Sequence, residues 1–410
     1  MAMASTYRVQ AGRPDHVPAE LFWDHAYESF ASERDDPFRH VATLHAGPDI
    51  VYARDIGRGR GGWILTRNAL IREAFADPER FTSFNPDNFL APIGLDVRMT
   101  PLEYDPPEHL HYRKAIEPYF TPAAVNALDE RVRDVCEELV AGFADAGSCE
   151  FISEFAEPFP SHIFLDLMGM PRERLDDFLA WERAMIRPGS PEEAAAGMKA
   201  VIAYLEQFVR EQRAAPTTDL MRGVVSARYN DQRPLTEKEI LGICFILYIG
   251  GLDTVYSTLG WIFWHLPQDR PLQERLRTQP ALIPQAVEEL LRAYSVASSA
   301  RQVRADCTFH GVAMRAGDHV LLSLPLAGRD PLAYDDPHRV DIDRPVRHIA
   351  FGTGPHTCIG LRLAKREIRI VLETLLSRFG AIRMPAAERH AFHTSNVFGI
   401  DRLPLEWDRL

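Results

Sequence analysis

Apolar residues recur at helical spacing through most of this chain. Asn68–Ala76 reads as a helix, and Asp105-Pro106-Pro107-Glu108-His109-Leu110-His111-Tyr112-Arg113 opens another. From Pro122 to Arg213 helical patterns dominate, clearest over Leu128–Ala144 and Ala194–Arg213. Arg187-Pro188-Gly189-Ser190-Pro191 breaks two helices there and suits a mobile lid. The longest pattern runs from Thr236 to Leu266. Thr236-x-x-Glu239 is a capping box at its start, and Pro267 stops it. At 1.5 Å per residue it is about 45 Å long. Near the C-terminus Leu361, Ala364, Ile368, Val371, Leu372 and Leu375 share one helical face. Arg362, Lys365, Arg366, Arg369 and Glu373 share the other, and Gly380 is placed to end that helix.

Period-two and β-rich segments are fewer. Little periodicity precedes Ala19–Phe30. Ile50–Ala53 and Gly62–Leu65 read as two strands around a turn, and Val303–Val320 reads as short strands with turns. The pattern predicts a mainly α protein with a small β region, about 45–66, 303–325 and 380–407. The turn Gly57-Arg58-Gly59-Arg60-Gly61-Gly62 matches Gly-x-Gly-x-x-Gly, but Trp63-Ile64-Leu65 follows it instead of the helix a dinucleotide site needs. It reads as a hairpin loop. No nicotinamide or flavin site is visible, so electrons for any redox chemistry come from outside. Phe81–Thr100 has no clear period, and so long an irregular stretch suits the cover of a binding site.

The chain has 410 residues, 46% apolar and 25% charged. No linker or repeat divides it, so one domain over 1–410 is expected. A net charge of −12 argues against a general nucleic-acid binder. Five scattered cysteines without a Cys-x-x-Cys suit a reducing compartment. Met1–Gln10 lacks the basic start and apolar core of a signal peptide, so a cytoplasmic location is expected. The apolar middle of Thr236–Leu266 is long enough to cross a membrane. Gly250-Gly251, Asp253 and Thr254 at its centre argue for the core of a soluble protein instead, with no membrane partner.

Chemistry concentrates in Phe351-Gly352-Thr353-Gly354-Pro355-His356-Thr357-Cys358-Ile359-Gly360. Cys358 stands at the mouth of a helix, where the dipole and unpaired amides favour a thiolate. Four roles are open to it: a small buried hydrophobe, a nucleophile with His356, a zinc ligand, or an axial haem ligand. No second Cys or His pair lies near enough in sequence to complete a zinc site. Two glycines inside the long helix, at 250 and 251, cost about 1 kcal/mol each relative to Ala. They make sense where something flat packs against the backbone. Asp253 and Thr254 then add a carboxylate and a hydroxyl beside it. Glu289 and Arg292, three apart on one helix, can pair.

These residues together resemble the cytochromes P450. Phe351, Gly354, Cys358 and Gly360 match the haem-binding signature Phe-x-x-Gly-x-x-x-Cys-x-Gly. Gly250-Gly251-Leu252-Asp253-Thr254 resembles the oxygen-activation motif, and Glu289-Leu290-Leu291-Arg292 matches Glu-x-x-Arg. The resemblance spans about residues 50 to 407 and is strongest to the bacterial class I branch typified by camphor 5-monooxygenase. It implies the triangular haem-thiolate monooxygenase fold and haem b (iron protoporphyrin IX), with Cys358 as the thiolate on the iron. It further implies that Asp253 and Thr254 deliver protons. His109, Arg113, Arg301 and His356 would meet the haem propionates, and a later loop, through Arg339, would join Glu289 and Arg292.

The same resemblance implies hydroxylation with O2. Electrons would come from a [2Fe–2S] ferredoxin and its NADH-dependent reductase, docked on Arg362, Lys365 and Arg366 with Arg344 and Arg347. Two departures reshape the pocket. About Val97 stands where the camphor branch has a tyrosine, and Ser299 replaces an aspartate. Pocket positions by resemblance are Phe89, Val97, Met99, Ile246 and Ile249, with Ala297, Asn396 and Val397 from later segments. Most are apolar, which implies a small terpenoid or an ionone-like norisoprenoid, with Asn396 as a replacement polar contact. Two alternatives stay open. One is a peroxide-driven hydroxylase, which normally lacks the acid–Thr pair. The other is a non-catalytic haem-thiolate sensor.

Overall fold

A computed structural model describes residues 12–57, 59–85, 90, 93–186, 189–386 and 388–409. The helices that frame the site are α1 (Asn68–Ala76), α2 (Glu108–Arg113), α3 (Asp129–Ala141), α4 (Pro158–Met168), α5 (Leu175–Ile186), α6 (Pro191–Ala214), α7 (Glu237–His265), α8 (Ile283–Ala293) and α9 (Leu361–Arg378). The strands that matter here are β1 (Phe22–Ala26), β2 (Ile50–Asp55), β3 (Gly62–Leu65), β4 (Phe81–Thr82), β5 (Ser148–Glu150), β6 (Ser298–Val303), β7 (His319–Ser323), β8 (Phe379–Arg383), β9 (Ala391–Thr394), β10 (Phe398–Arg402) and β11 (Pro404–Arg409). The fold is mainly α with a small β region.

The largest sheet has the order β1-β2-β3-β7-β6-β4. β2 and β3 form the expected antiparallel hairpin, Ile50 opposite Leu65. In the Ala19–Phe30 segment β1 runs parallel to β2, with Phe22 opposite Tyr52. Arg301, expected just ahead of the strands, lies inside β6 opposite Val320 of β7. Near the C-terminus β8, β11 and β5 form one sheet, and β9 and β10 form a hairpin.

Helix α7 is the axis of the molecule. Its capping box is complete: Glu239 N donates to Thr236 Oγ1 at 3.3 Å, and Thr236 N donates to Glu239 Oε2 at 2.7 Å. It is long and apolar enough to cross a membrane, yet its sides are largely buried against other elements. Ile240 to Leu252 belong to one hydrophobic cluster, with α4, α5 and α6. Val255 to Leu266 belong to another, with α8, α9 and the C-terminal strands. The Gly250–Thr254 stretch is where the helix passes between them.

Two predicted boundaries move. Leu128–Ala144 is helical only over Asp129–Ala141, followed by a short 3-10 turn. Helix α9 stops at Arg378 rather than at a glycine cap. Phe379 is already extended and opens β8, so Gly380 lies in a strand, where a Cβ would stand 3.0 Å from the Asp408 backbone O. Sheet pairing with β11 ends this helix.

Candidate active site at the Cys358 loop

The loop ahead of α9 is folded back on itself. Cys358 N donates to Phe351 O at 2.9 Å, and Gly352 N donates to Ile349 O at 2.8 Å. Gly354 has φ +72°, and a Cβ there would stand 2.7 Å from the Phe75 carbonyl oxygen of α1. Only glycine suits that left-handed, crowded turn. Cys358 keeps an accessible surface although protein surrounds it, so it faces a space enclosed by the fold. Burial raises its pKa, opposed by the amides of Gly360 and Leu361 that point at Sγ and by the charge of Arg113. The helix mouth thus works against the burial of the sulfur. A cation bonded to Sγ would reverse the balance.

Beside it lies a cluster of buried bases. His109 of α2 is fully buried, and its ring packs on that of His356 with centroids 4.2 Å apart. Neither ring nitrogen of His109 has a hydrogen-bond partner among the described residues. His356 Nε2 lies 3.0 Å from Ser83 Oγ. Arg301 is 6% exposed, lies over the Phe75 ring and donates to the neighbouring Ala300 carbonyl at 2.8 Å. Arg113 reaches the Pro355 carbonyl at 3.4 Å. Burial, then Arg301, His109 and Arg113, push the His356 pKa down to about 2. Burial and Arg113 push His109 down to about 4, and burial pushes Arg301 down to about 10. Asp105, the carboxylate that opposes these shifts, is engaged by Thr82, Ser83 N and Arg304. Four bases from three segments repel one another in a buried place, an arrangement complementary to a dianion.

The two glycines of α7 differ. A Cβ on Gly251 would stand 2.4 Å from Phe164 Cδ2 of α4. A Cβ on Gly250 would meet nothing within 4 Å. Thr254 Oγ1 donates to the Gly250 carbonyl at 3.3 Å. Asp253 is 1% exposed; Oδ1 accepts from Ser257 Oγ at 3.4 Å, and Oδ2 has no partner among the described residues. Ordinary core packing does not leave a buried carboxylate oxygen bare. The orphaned His109 nitrogens, the repelling bases, the amide-lined sulfur and the open side of Gly250 all fit a haem with its propionates.

Several expected roles are redistributed. Val97 is buried, and Met99 and Ile249 pack on the same cluster as the first half of α7. Ile246 is half-buried on α7, one turn before Gly250. Ala297 and Val397 bridge β6 to the β9–β10 hairpin. The Asn396 carboxamide oxygen lies 3.9 Å from where a Gly57 Cβ would stand, beside the β2–β3 turn. Phe89, Arg187 and Pro188 lie outside the described residues.

Arg339 meets the buried Glu289–Arg292 pair only through its carbonyl, 3.0 Å from Arg292 Nη2. The second guanidinium there is that of Arg344, which is thereby removed from the expected docking patch. Of that patch Arg362 and Arg347 are exposed; Lys365 is paired with Glu288, and Arg366 with Asp129. Sequence reasoning missed Ser83, Phe164 and Ser257, which are brought to the site by contacts that no local pattern records.

Comparison with known proteins agrees with this geometry. A family model described as "Cytochrome P450" matches residues 161–407. A "Probable cytochrome P450 127A1" from Sinorhizobium fredii is 35% identical over 96% of each chain. The solved structure of "Cytochrome P450 CYP101C1" superposes with a TM-score of 0.86 at 31% identity, over 97% of this chain and all of that one. That of CYP101J2 superposes with a TM-score of 0.85 at 29% identity, over 97% and 99%.

Proposed function

The chain belongs to the cytochrome P450 monooxygenase family, whose cofactor is haem b, and from that premise we propose that it hydroxylates a small apolar terpenoid or norisoprenoid with O2 and electrons from a ferredoxin. Cys358 would hold the iron through Sγ. His109, Arg113, Arg301 and His356 would hold the propionates, and Phe351, Gly360 and the open side of Gly250 would let the ring approach, whereas Gly251 is closed by Phe164. Haem, when bound, supplies dioxygen activation and insertion of one oxygen atom into a C–H bond.

The chain's own residues supply position and protons. Val97, Met99, Ile249, Ile246, Ala297 and Val397 offer an apolar wall that orients a hydrocarbon and excludes bulk water. Thr254 presents a hydroxyl held by the Gly250 carbonyl. Asp253, whose Oδ2 has no partner among the described residues, would relay a proton to Thr254. The proton must reach a buried site from solvent, so the acid and hydroxyl act as a pair. Electrons would arrive at the face formed by Arg362, Lys365, Arg366, Arg369 and Asn126, which line one concavity. An acidic [2Fe–2S] ferredoxin with an NADH-dependent reductase suits it. The buried course of α7 supports a soluble, cytoplasmic enzyme.

The observation that carries the reading is the cluster of mutually repelling bases beside Cys358, with both His109 ring nitrogens unpartnered among the described residues. The test is the absorbance spectrum of the reduced protein under CO. A strongly red-shifted Soret band, lost in Cys358→Ser, is the expected result. Titration of the ferric protein with monoterpenes and norisoprenoids should then give a low- to high-spin shift. A colourless protein sinks the haem reading, and a spin state indifferent to every such compound sinks the substrate class.

A further inference from the structure

Behind Asp253, on the side of α7 that packs on the C-terminal hairpin, lies a second set of polar groups. Ser257, one turn further along α7, is fully buried and donates to Asp253 Oδ1 at 3.4 Å. In the hairpin, His393 of β9 pairs directly with Gly399 of β10. Gly399 has no side chain, and the His393 ring lies across it. A Cβ on Gly399 would stand 2.4 Å from His393 Cε1, 2.8 Å from His393 Nε2 and 2.8 Å from Ser257 Oγ. The last two atoms are therefore separated by no more than twice 2.8 Å, a span that one water closes with two ordinary hydrogen bonds. His393 Nε2 is buried with no partner among the described residues. The other ring nitrogen, Nδ1, lies 2.8 Å from Asp401 Oδ1, and the Asp401 side chain is 36% exposed.

We propose that Asp401, His393 and Ser257 form a proton inlet that recharges Asp253 from solvent through the β9–β10 hairpin. The inference rests on the proton-delivery role assigned to Asp253 above. It identifies a supply for a carboxylate that is otherwise sealed from water. Each group gains a proton on one atom and loses one from another. His393 takes a proton from the Asp401 side on Nδ1 and releases one from Nε2 to the bridging water. That water gives one to Ser257 Oγ, and Ser257 passes its own hydroxyl proton to Asp253 Oδ1. Asp253 turns about its Cβ–Cγ bond and releases the proton on its other side, toward Thr254. Imidazole suits the central position because it has two separate nitrogens, one to take a proton and one to release it. The charged groups nearest this path are Asp253 on α7 and Asp401 on β10. Arg402, next to Asp401, is engaged by Glu388 and the Arg389 carbonyl.

The test combines His393→Phe, Ser257→Ala and the double variant in the haem-loaded enzyme. Phe keeps a ring across Gly399 but cannot carry a proton, so a merely packing role would tolerate it. Each single variant should lower kcat about tenfold and release more hydrogen peroxide per O2 consumed. The slowing in D2O should grow, with KM for substrate and the CO spectrum unchanged. The double variant should be no slower than either single one, because both interrupt one path. A readout that needs no turnover is a crystal structure sharp enough to show ordered water. It should show one water, or a direct hydrogen bond, between His393 Nε2 and Ser257 Oγ. A dry gap there overturns the inlet, as does a His393→Phe enzyme that matches the unsubstituted one. An unsubstituted protein that forms no product counts against the monooxygenase reading instead, and the crystal structure still decides the inlet.

Discussion

Arg344 Nε lies 3.4 Å from Glu289 Oε1, with the two side chains 12% and 0% exposed. Arg292 grips both oxygens of the same carboxylate, each at 2.8 Å, and Asp341 N adds a third hydrogen-bond donor at 2.9 Å. Arg292 also donates to the carbonyls of Gly328, Pro337 and Arg339. One buried carboxylate on α8 thus fixes the loop that leads toward the Cys358 turn. This is a structural clamp, and its strength comes from Arg292 and both Glu289 oxygens being satisfied in a dry place.

The clamp ranks three arginines. Arg292→Ala leaves Glu289 buried without its main partner and should cost about 3–5 kcal/mol. Arg344→Ala removes a looser pair, together with donors to the Asp335 and Asp336 carbonyls, and should cost about 1–2 kcal/mol. Arg339→Ala keeps the carbonyl that does the work, so the change should stay within about 0.5 kcal/mol. Denaturant midpoints of the three variants give the order directly. An Arg339 variant less stable than the Arg344 variant would restore the side-chain role expected from the motif.

The adjacent glycines of α7 should respond with opposite signs. Gly251→Ala places a methyl 2.4 Å from the Phe164 ring of α4, and overpacking of this kind costs about 1–3 kcal/mol. Gly250→Ala meets nothing within 4 Å and gains about 1 kcal/mol of helix propensity. Thermal melts of the haem-free protein should therefore fall for the first and hold or rise for the second. Haem uptake should then be impaired by Gly250→Ala if the open side is where the ring lies. Equal effects on melting would mean that Phe164 yields without cost.

What could be read in the sequence was what local periodicity or a short motif encodes. Thr236 and Glu239 announced α7 because a capping box is complete within four residues. The Cys358 turn was legible because its glycines answer to backbone geometry. Arg344 was not, because Arg339, Arg344 and Arg347 sit in one irregular loop and only packing selects which reaches Glu289. The end of α9 was misplaced because its stop signal is the distant strand β11. His393 drew no notice because its ring reaches α7 across a glycine of another strand.

The face that would receive an electron donor is less basic than its sequence suggests. Lys365 Nζ lies 2.8 Å from Glu288, Arg366 pairs with Asp129 and Asn126, and Arg369 pairs with Glu373 at 3.1 Å. Arg362 is exposed and carries no hydrogen bond or ion pair among the described residues. An acidic partner would therefore find Arg362 and the exposed Arg347 ready, with Lys365, Arg366 and Arg369 already neutralised. Rim charges act mainly on the rate of association and its salt dependence. Arg362→Glu should raise the KM for ferredoxin about tenfold at low salt, with kcat at saturating ferredoxin and the CO spectrum unchanged. The defect should shrink toward 1 M salt, where the screening length falls to about 3 Å. Arg344→Gln, by contrast, should leave that KM where it is, because its charge is turned inward to Glu289. Reductase-coupled NADH oxidation against ferredoxin concentration, at two ionic strengths, measures both. A KM indifferent to Arg362 would move the docking site off this face.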